Sequence, residues 1–201
     1  MDGRKQMKKI ILASGSPRRR ELLTQIGISF EVVKAEGEEK ITTDDPEEAV
    51  KELAMQKAQE VAGRVDADVV IGADTVVAVD GEIMGKPKDP EDAVRMIHRI
   101  QGREHEVLTG VAVILKKREV ETTINFAETT RVHVFPMTEE EIQSYVASKE
   151  PMDKAGAYGI QGLFAAYVSG IEGDYNNVVG LPVGRLYQEV KAIADVDLRT
   201  L

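Results

Sequence analysis

The sequence predicts an α/β fold with a mixed central sheet that is flanked by helices. In the first half of the chain, short apolar runs alternate with segments whose apolar residues have helical spacing. In the second half, two long β-branched segments, residues 107–115 and 122–135, are separated only by a polar turn. Alternating strands and helices favour parallel pairing, and a hairpin requires antiparallel pairing, so the two halves together predict a mixed sheet.

A short polar turn joins the first predicted strand, residues 10–13, to the first predicted helix. Ser14-Gly15-Ser16 ends the apolar run, Ser16 is a favourable N-cap, and Pro17 is a favourable first helical residue. A helix N-terminus carries free N–H groups and the positive end of the helix dipole, and here Arg18-Arg19-Arg20 follows directly. We therefore predict an anion site for phosphate at this turn. The alternative is a basic first turn on a surface helix.

The remaining elements are predicted from the same kinds of signal. In chain order they are a strand over residues 30–33, a helix from Pro46 to Gly63 capped by Asp45, a strand over 69–79, a hairpin turn at Asp80-Gly81 with its return strand 82–84, a helix from Pro90 to Ile100 capped by Asp89, the hairpin strands 107–115 and 122–135, a helix opened by a capping box of Thr138 and Glu141, a turn at 174–177, and a final helix around 186–194. Residues 151–162 are rich in Gly and Ala and fit neither pattern. No repeat or linker interrupts the series, so we expect one domain over residues 1–201.

The composition excludes several classes of function. The formal net charge of −9 argues against general nucleic-acid binding, although it allows a local basic pocket for one small anion. The chain has no cysteine, and His98, His105 and His133 are too scattered to ligate a metal, so each histidine is expected to be structural or exposed to solvent. Residues 1–8 form a polar extension, and the apolar run after them is too short for a signal peptide or a membrane span. We expect a soluble, cytoplasmic protein that binds neither nucleic acid nor membranes.

Asp74 is a second candidate for chemistry, because it lies in the middle of the most apolar segment of the chain, residues 69–79. A buried carboxylate is costly without a partner. Asp74 is therefore either a structural residue, satisfied by backbone N–H groups or by Thr75, or a metal ligand or general base at a strand end.

Other polar residues also lie where predicted strands or helices meet turns. They are Glu39, Lys57, Lys86, Asp153 and Gln161. The lysines of this set can hold a polyphosphate together with Arg18 and Arg19. Glu39, together with Asp74, can hold a divalent cation or activate water. The chain offers no Ser-His-Asp set and no P-loop, so this inventory favours hydrolysis or transfer at phosphorus, which needs charge neutralisation more than a covalent nucleophile.

Seven short blocks of sequence occur in an order that is typical of one known family. They are Ser14-Gly15-Ser16-Pro17-Arg18-Arg19 with Glu21-Leu22-Leu23, Leu53-Ala54 with Lys57-Ala58, Gly72-Ala73-Asp74-Thr75-Val76-Val77, Gly85-Lys86-Pro87, Thr109-Gly110-Val111, Asp153-Lys154-Ala155-Gly156-Ala157-Tyr158-Gly159-Ile160-Gln161-Gly162, and Asn177-Val178-Val179-Gly180-Leu181-Pro182. Any one block can arise by chance, but seven in order do not. From the first strand to the final helix, the chain resembles the Maf family of nucleoside triphosphate pyrophosphatases.

The resemblance implies an activity and an architecture. The activity is hydrolysis of a nucleoside triphosphate between its α and β phosphates, which gives a monophosphate and pyrophosphate. The cofactor is a divalent cation, Mg²⁺ or Mn²⁺. The architecture is a single domain with an elongated sheet and two lobes, a cleft between the lobes and, in many members, a homodimer.

The resemblance also assigns catalytic roles by position in the motifs. Asp74 corresponds to the family's proposed proton acceptor, and Glu39, Lys57 and Lys86 correspond to other residues of the catalytic cleft. On this basis Glu39 and Asp74 are the expected cation ligands, while Lys57 and Lys86 neutralise the leaving pyrophosphate.

Substrate contacts are expected from two further groups of residues. The phosphate group comprises Ser14, Ser16, Arg18 and Arg19, and the base-reading group comprises Thr75 and Gln161. The resemblance ties Arg18, Thr75 and Gln161 to substrate choice. The block over residues 153–162 resembles the branch that prefers dTTP and UTP.

The chain departs from the family pattern after residues 30–33. Lys34-Ala35-Glu36 stands where a Pro-Ser-Asp-like turn is more usual, which leaves Glu38 as an alternative to Glu39. Two other functions also remain open at this point. One is a nucleotide-sensing regulator of cell division or septum formation, and the other is a nucleotidyltransferase, which forms product only when an acceptor is present.

Overall fold

A computed structural model describes residues 9–117 and 120–201 of the protein. In chain order its elements are β1 (Ile10–Leu12), α1 (Pro17–Gln25), β2 (Glu31–Val32), α2 (Pro46–Arg64), β3 (Val69–Val79), β4 (Glu82–Met84), α3 (Pro90–Ile100), β5 (Glu104–Lys117), β6 (Val120–Val134), α4 (Glu139–Ala147), β7 (Val168–Glu172), α5 (Tyr175–Val179) and α6 (Val183–Ala194). Short 3₁₀ turns lie between α4 and β7, at Glu150–Asp153, Ala155–Ala157 and Leu163–Tyr167. The extension predicted for residues 1–8 lies outside the described residues.

The strands of the described residues form one mixed sheet. Its order is β2-β1-β3-β5-β6-β7, and β4 pairs with β3. β1 is parallel to β2 and β3, whereas β3 and β5, β5 and β6, β6 and β7, and β3 and β4 pair antiparallel. The predicted α/β fold with a mixed sheet is therefore confirmed.

The two faces of the sheet pack against different partners. Ile71 of β3 belongs to the larger core, which includes residues of α1, α3, α4 and α6. Its neighbour Val70 belongs to a second core, in which small residues of α2 cover the sheet. Because side chains alternate along a strand, Asp74 lies on the α2 face of β3, and Thr75 lies on the opposite face.

Local sequence signals located most element boundaries. Ser16, Asp45 and Asp89 are the N-caps of α1, α2 and α3, and Thr138 forms a complete capping box with Glu141. Both strands of the long hairpin extend further than the sequence predicts, because β5 begins at Glu104 and β6 at Val120. Among the described residues, no helix is long and apolar enough to span a membrane.

Two local predictions were wrong. Residues 174–177 are not a turn, because the Asp174 side chain accepts a hydrogen bond from the N–H of Asn176 at 2.8 Å and so caps α5. The strand expected over 30–33 contains only the two exposed residues of β2. β7 was not predicted, because it is five residues long and contains a glycine.

Candidate active site

A gap in strand pairing lies at the middle of β3. On one edge of β3, β1 pairs as far as Ile71, and β4 begins to pair only at Val77. Residues 72–76 between them are paired only with β5, on the other edge. Both neighbouring strands end at this gap. The polypeptide continues from β1 to the N-terminus of α1 and from β4 to Gly85-Lys86. The gap therefore opens the sheet beside Asp74.

Lys57 joins two carboxylates at this gap. Its ammonium contacts Oδ1 of Asp74 and lies 3.0 Å from Oε1 of Glu39. The side chains of Lys57 and Asp74 are 15% and 16% exposed, while Glu39 is open to solvent at 54%. Asp74 comes from β3, Lys57 from α2, and Glu39 from the segment between β2 and α2.

Two glycines bring α2 close enough for this contact. A Cβ on Gly72 would lie 2.8 Å from the backbone N of Ala58, and a Cβ on Gly110 would lie 2.8 Å from that of Lys51. Real Cβ atoms do not approach backbone atoms this closely, so only glycine allows the helix to rest on the strands. Gly72 is two residues before Asp74 on the same face of β3. It therefore sets how close α2 lies to the strand, and hence how close Lys57 is to the Asp74 carboxylate. We call α2 and β3 together the sheet wall.

Arg19 is buried behind the turn after β1. Its Nε donates to the carbonyl of Gly180 at 2.8 Å, Nη1 donates to Oγ of Ser14 at 3.1 Å, and Nη2 donates to Oγ1 of Thr75 at 3.0 Å. The Thr75 hydroxyl is also 2.9 Å from that of Thr109. Burial lowers the pKa of Arg19, and the charge of Asp74 opposes that shift. Arg19 therefore ties α1, β3 and the residue after α5 together, and the Thr75 hydroxyl is part of that network.

The N-terminus of α1 faces the gap, as the sequence predicts for an anion site. The Ser16 side chain accepts from the N–H of Arg19 at 3.5 Å, and Oγ of Ser14 accepts from the N–H of Ser16 at 3.3 Å. Arg18 is half-buried and, unlike Arg19, belongs to none of these hydrogen bonds. The turn therefore places a helix N-terminus and one available guanidinium beside the β3 gap.

The opposite side of the cleft is formed by residues 150–162, which we call the loop wall. Glu150 anchors it, because its carboxylate accepts from the Tyr145 hydroxyl at 3.1 Å and from the N–H of Leu163 at 2.8 Å. Tyr158 anchors it to β5 through a hydrogen bond of 2.7 Å with Nε2 of His105. Burial lowers the pKa of His105 to about 4 and raises that of Tyr158. His105 is thus structural, which is one of the two roles expected for it, whereas Gln161 at the end of the wall is exposed.

One cleft of about 830 Å³ lies between these walls, a size that suits a small-molecule ligand. All ten site residues predicted from the sequence line it, namely Ser14, Ser16, Arg18, Arg19, Glu39, Lys57, Asp74, Thr75, Lys86 and Gln161. Its lining has six basic and three acidic side chains, which give a formal charge of +3. Because the whole chain has a formal charge of −9, the residues outside the cleft carry a charge of −12. A basic cleft in an acidic protein favours a small polyanion.

Several lining residues were not predicted as site residues. Lys34 and Lys154 add two of the six positive charges, and Lys34 packs over the turn, where a Cβ on Gly15 would lie 3.4 Å from its Cδ. Lys34 is an exposed lysine in a loop, which carries no sequence signal of function. Lys154 is held by the carbonyl of Glu150 at 2.8 Å and by Asp153 at 2.7 Å. Its contact with the cleft depends on the fold of the loop wall.

The acidic residues fit a divalent cation only if the substrate supplies further ligands. Among residues 9–117 and 120–201, no group of three or more His, Asp or Glu side chains is placed to hold a metal ion. Asp74 and Glu39 do converge, since both contact the Lys57 ammonium. Mg²⁺ commonly binds through one or two carboxylates together with substrate phosphates. The two carboxylates therefore fit a cation that arrives with a phosphate ligand.

The fold and the cleft define an α/β protein with a basic pocket for a phosphorylated small molecule. The sequence model of the Maf-like protein family matches residues 9–193. The chain therefore belongs to the Maf-like protein family.

Its curated relatives are similar over nearly their whole lengths. A protein of Agathobacter rectalis named dTTP/UTP pyrophosphatase is 52% identical, covering 93% of this chain and 98% of that protein. Proteins with the same name from Carboxydothermus hydrogenoformans and Bacillus cereus are 51% and 50% identical, covering 91% and 96% of this chain and 97% and 98% of those proteins. A solved structure titled "The structure of the Staphylococcus aureus Ham1 protein" aligns with 63% of this chain and 72% of its own, at 17% identity and a TM-score of 0.46.

Proposed function

We propose that this protein hydrolyses dTTP and UTP to the nucleoside monophosphate and pyrophosphate. The observation that carries the proposal is the Asp74–Lys57–Glu39 cluster, which lies in a cleft of formal charge +3 beside the N-terminus of α1. The names of the relatives that are about half identical to this chain support the choice of substrate.

The basic residues bind and orient the triphosphate in this proposal. The guanidinium and backbone N–H of Arg18 bind phosphate oxygens at the N-terminus of α1, while Arg19 holds the turn in place from behind. Lys86, two residues after β4 ends, neutralises charge on the leaving pyrophosphate. These residues hold the α phosphorus beside the β3 gap, so that positioning and charge neutralisation lower the barrier.

Asp74 accepts a proton from the attacking water. In the cleft without nucleotide the Lys57 ammonium contacts Oδ1, the oxygen that a cation would take in its place, so we assign the proton to the other oxygen, Oδ2. A divalent cation bound by Asp74, Glu39 and phosphate oxygens would supply further charge neutralisation. Because the Thr75 hydroxyl is engaged with Arg19 and Thr109, we assign reading of the base to Gln161, whose amide can both donate and accept.

The test is a panel of ribo- and deoxyribonucleoside triphosphates with Mg²⁺ in water enriched in heavy oxygen. We expect pyrophosphate and monophosphate in equal amounts, fastest with dTTP and UTP, and the heavy oxygen only in the monophosphate. Release of orthophosphate, or heavy oxygen in the pyrophosphate, would place the attack at another phosphorus and contradict the proposal. Binding without turnover would favour a nucleotide sensor, and product that requires an acceptor would favour a transferase.

The proposal also includes a cytoplasmic homodimer, as the family resemblance implies. Light scattering during size-exclusion chromatography should give twice the mass of the chain. A mass equal to one chain, over a range of protein concentrations, would refute the dimer without affecting the proposed chemistry.

A further inference from the structure

The Lys57 ammonium occupies the point at which two of the three cleft carboxylates, those of Asp74 and Glu39, meet. It contacts Oδ1 of Asp74 and is 3.0 Å from Oε1 of Glu39. They belong to the two carboxylates that are proposed above to bind a divalent cation. The cleft without nucleotide thus already holds a positive charge where the divalent cation would bind.

An ammonium and a divalent cation compete for these oxygens. Contact with Lys57 uses lone pairs that a cation would need, and two positive charges so close together repel each other strongly in a partly buried site. Lys57 and Asp74 are only 15% and 16% exposed, so water screens this repulsion weakly. The divalent cation can bind these carboxylates fully only if the ammonium moves.

The Lys57 side chain can move, but its backbone cannot. Gly72 and Gly110 are in close contact with α2, so the helix is fixed against the sheet. The lysine has a flexible stem of four carbons, and its ammonium can bind any acceptor within reach of that stem. In the cleft, the acceptors that a nucleotide adds are its phosphate oxygens.

We propose that Lys57 is a placeholder cation. In the empty cleft it neutralises Asp74 and Glu39 and keeps a divalent cation from binding alone. When a nucleotide brings the cation, Lys57 transfers its contact from the carboxylates to the phosphates. The second step rests on the proposed function, but the first concerns the free protein alone.

The first step is tested by measuring binding of Mn²⁺ to the free protein, from the loss of the free-ion signal in electron paramagnetic resonance. We expect Lys57→Met, which keeps a stem of four atoms but removes the ammonium, to bind Mn²⁺ at least about tenfold more tightly than the unmodified protein. Lys86→Met is the matched control, because it removes one cleft charge that contacts neither Asp74 nor Glu39. It should strengthen Mn²⁺ binding by less than about threefold.

A double variant locates the effect. Adding Asp74→Asn to Lys57→Met should abolish the gain in Mn²⁺ affinity. Equal gains in the two lysine variants, no gain in Lys57→Met, or a gain that survives Asp74→Asn would each overturn the placeholder role. Lys57→Gln replaces Lys57→Met if the methionine variant does not fold.

The second step is tested with a non-hydrolysable α,β-methylene analogue of UTP. The analogue should strengthen Mn²⁺ binding to the unmodified protein by a larger factor than in Lys57→Met, because only lysine transfers to the phosphates. An equal factor would refute the transfer. If none of the triphosphates in the panel were hydrolysed, the proposed function would be refuted, but the Mn²⁺ result for the free protein would still hold.

Discussion

The two walls of the cleft are built in different ways. The sheet wall consists of a long helix that rests directly on the strands, and its functional side chains, Lys57 and Asp74, are mostly buried. The loop wall is a series of short 3₁₀ turns, and two of its polar side chains, Asp153 and Gln161, are exposed. It is held by particular side-chain contacts, those of Glu150 and Tyr158, rather than by a ladder of strand pairs.

This difference indicates a division of labour. Catalytic groups need positions accurate to a fraction of an ångström, which helix and strand backbones provide. Groups that recognise a substrate can lie on loops, because a loop can change its sequence without unfolding the sheet. We therefore expect changes in the sheet wall to alter catalysis or folding, and changes in the loop wall to alter the choice of substrate.

The largest expected effect is that of Asp74→Asn on the sheet wall. The amide keeps the shape of the side chain but cannot accept the proton, so turnover should fall about a thousandfold. Pyrophosphate release measures it. The control is Asp153→Asn, which changes a carboxylate of the loop wall that is paired with Lys154 at 2.7 Å, and it should alter turnover less than about threefold. If turnover fell by similar factors in both variants, the two walls would not differ in their importance for catalysis.

The second effect is on folding. Gly72→Ala inserts a Cβ against the backbone of α2, 2.8 Å from the N of Ala58, and neither backbone can yield without disturbing the sheet. We expect the free energy of unfolding to fall by about 3 kcal/mol or more, as measured by urea denaturation.

The matched control, Gly63, lies in α2, the helix against which Gly72 packs. A Cβ on Gly63 meets nothing within 4 Å, so Gly63→Ala should raise the free energy of unfolding by about 0.5–1 kcal/mol. If Gly72→Ala were tolerated as well as Gly63→Ala, the close packing of α2 would not be what fixes Lys57.

The sheet wall and the turn before α1 could be predicted in part from the sequence, because their signals are local. Asp74 is conspicuous in an apolar strand, and Ser16 with Pro17 identifies a helix start. The gap that joins them could not be predicted, because it depends on where β1 stops pairing with β3, and these strands are almost 60 residues apart in the chain. The contact of Arg19 with Gly180 spans 161 residues and has no local signal.

The loop wall was less predictable for a related reason. Residues 151–162 have no periodicity, so composition alone could not show how the wall folds. Its anchors are contacts between distant residues, such as Tyr158 with His105, that are formed only in the folded chain. Its position near a turn marked Gln161 only as one of several polar candidates, and the family resemblance supplied its role in substrate choice.

The third effect concerns pH and the contact that joins the loop wall to β5. His105 has a pKa of about 4 when folded, against about 6.5 when unfolded, because burial disfavours its charged form. Between these values the unfolded chain binds the proton and the native protein does not, so stability falls as the pH is lowered through this window. We expect His105 to account for a loss of about 2–3 kcal/mol of unfolding free energy between pH 7 and pH 4.

The variant that isolates this contribution is His105→Gln, which can still bond Tyr158 but does not titrate. Denaturation at a series of pH values should show a shallower loss of stability for this variant. His98→Gln, at a histidine whose side chain is 46% exposed, is the control and should keep the slope of the unmodified protein. Identical slopes in all three proteins would show that acid destabilisation arises elsewhere.

The smallest expected effect is that of Gln161→Ala on the loop wall. Loss of the amide should lower kcat/KM for UTP about tenfold and lower it much less for a triphosphate with a different base, because only the base-specific contact is removed. The free energy of unfolding should change by less than about 0.5 kcal/mol, since Gln161 is exposed. Lys86→Ala provides the contrast, because a phosphate contact should weaken every triphosphate by a similar factor. If Lys86→Ala changed the selectivity for the base and Gln161→Ala did not, the assignment of base recognition to Gln161 would be wrong.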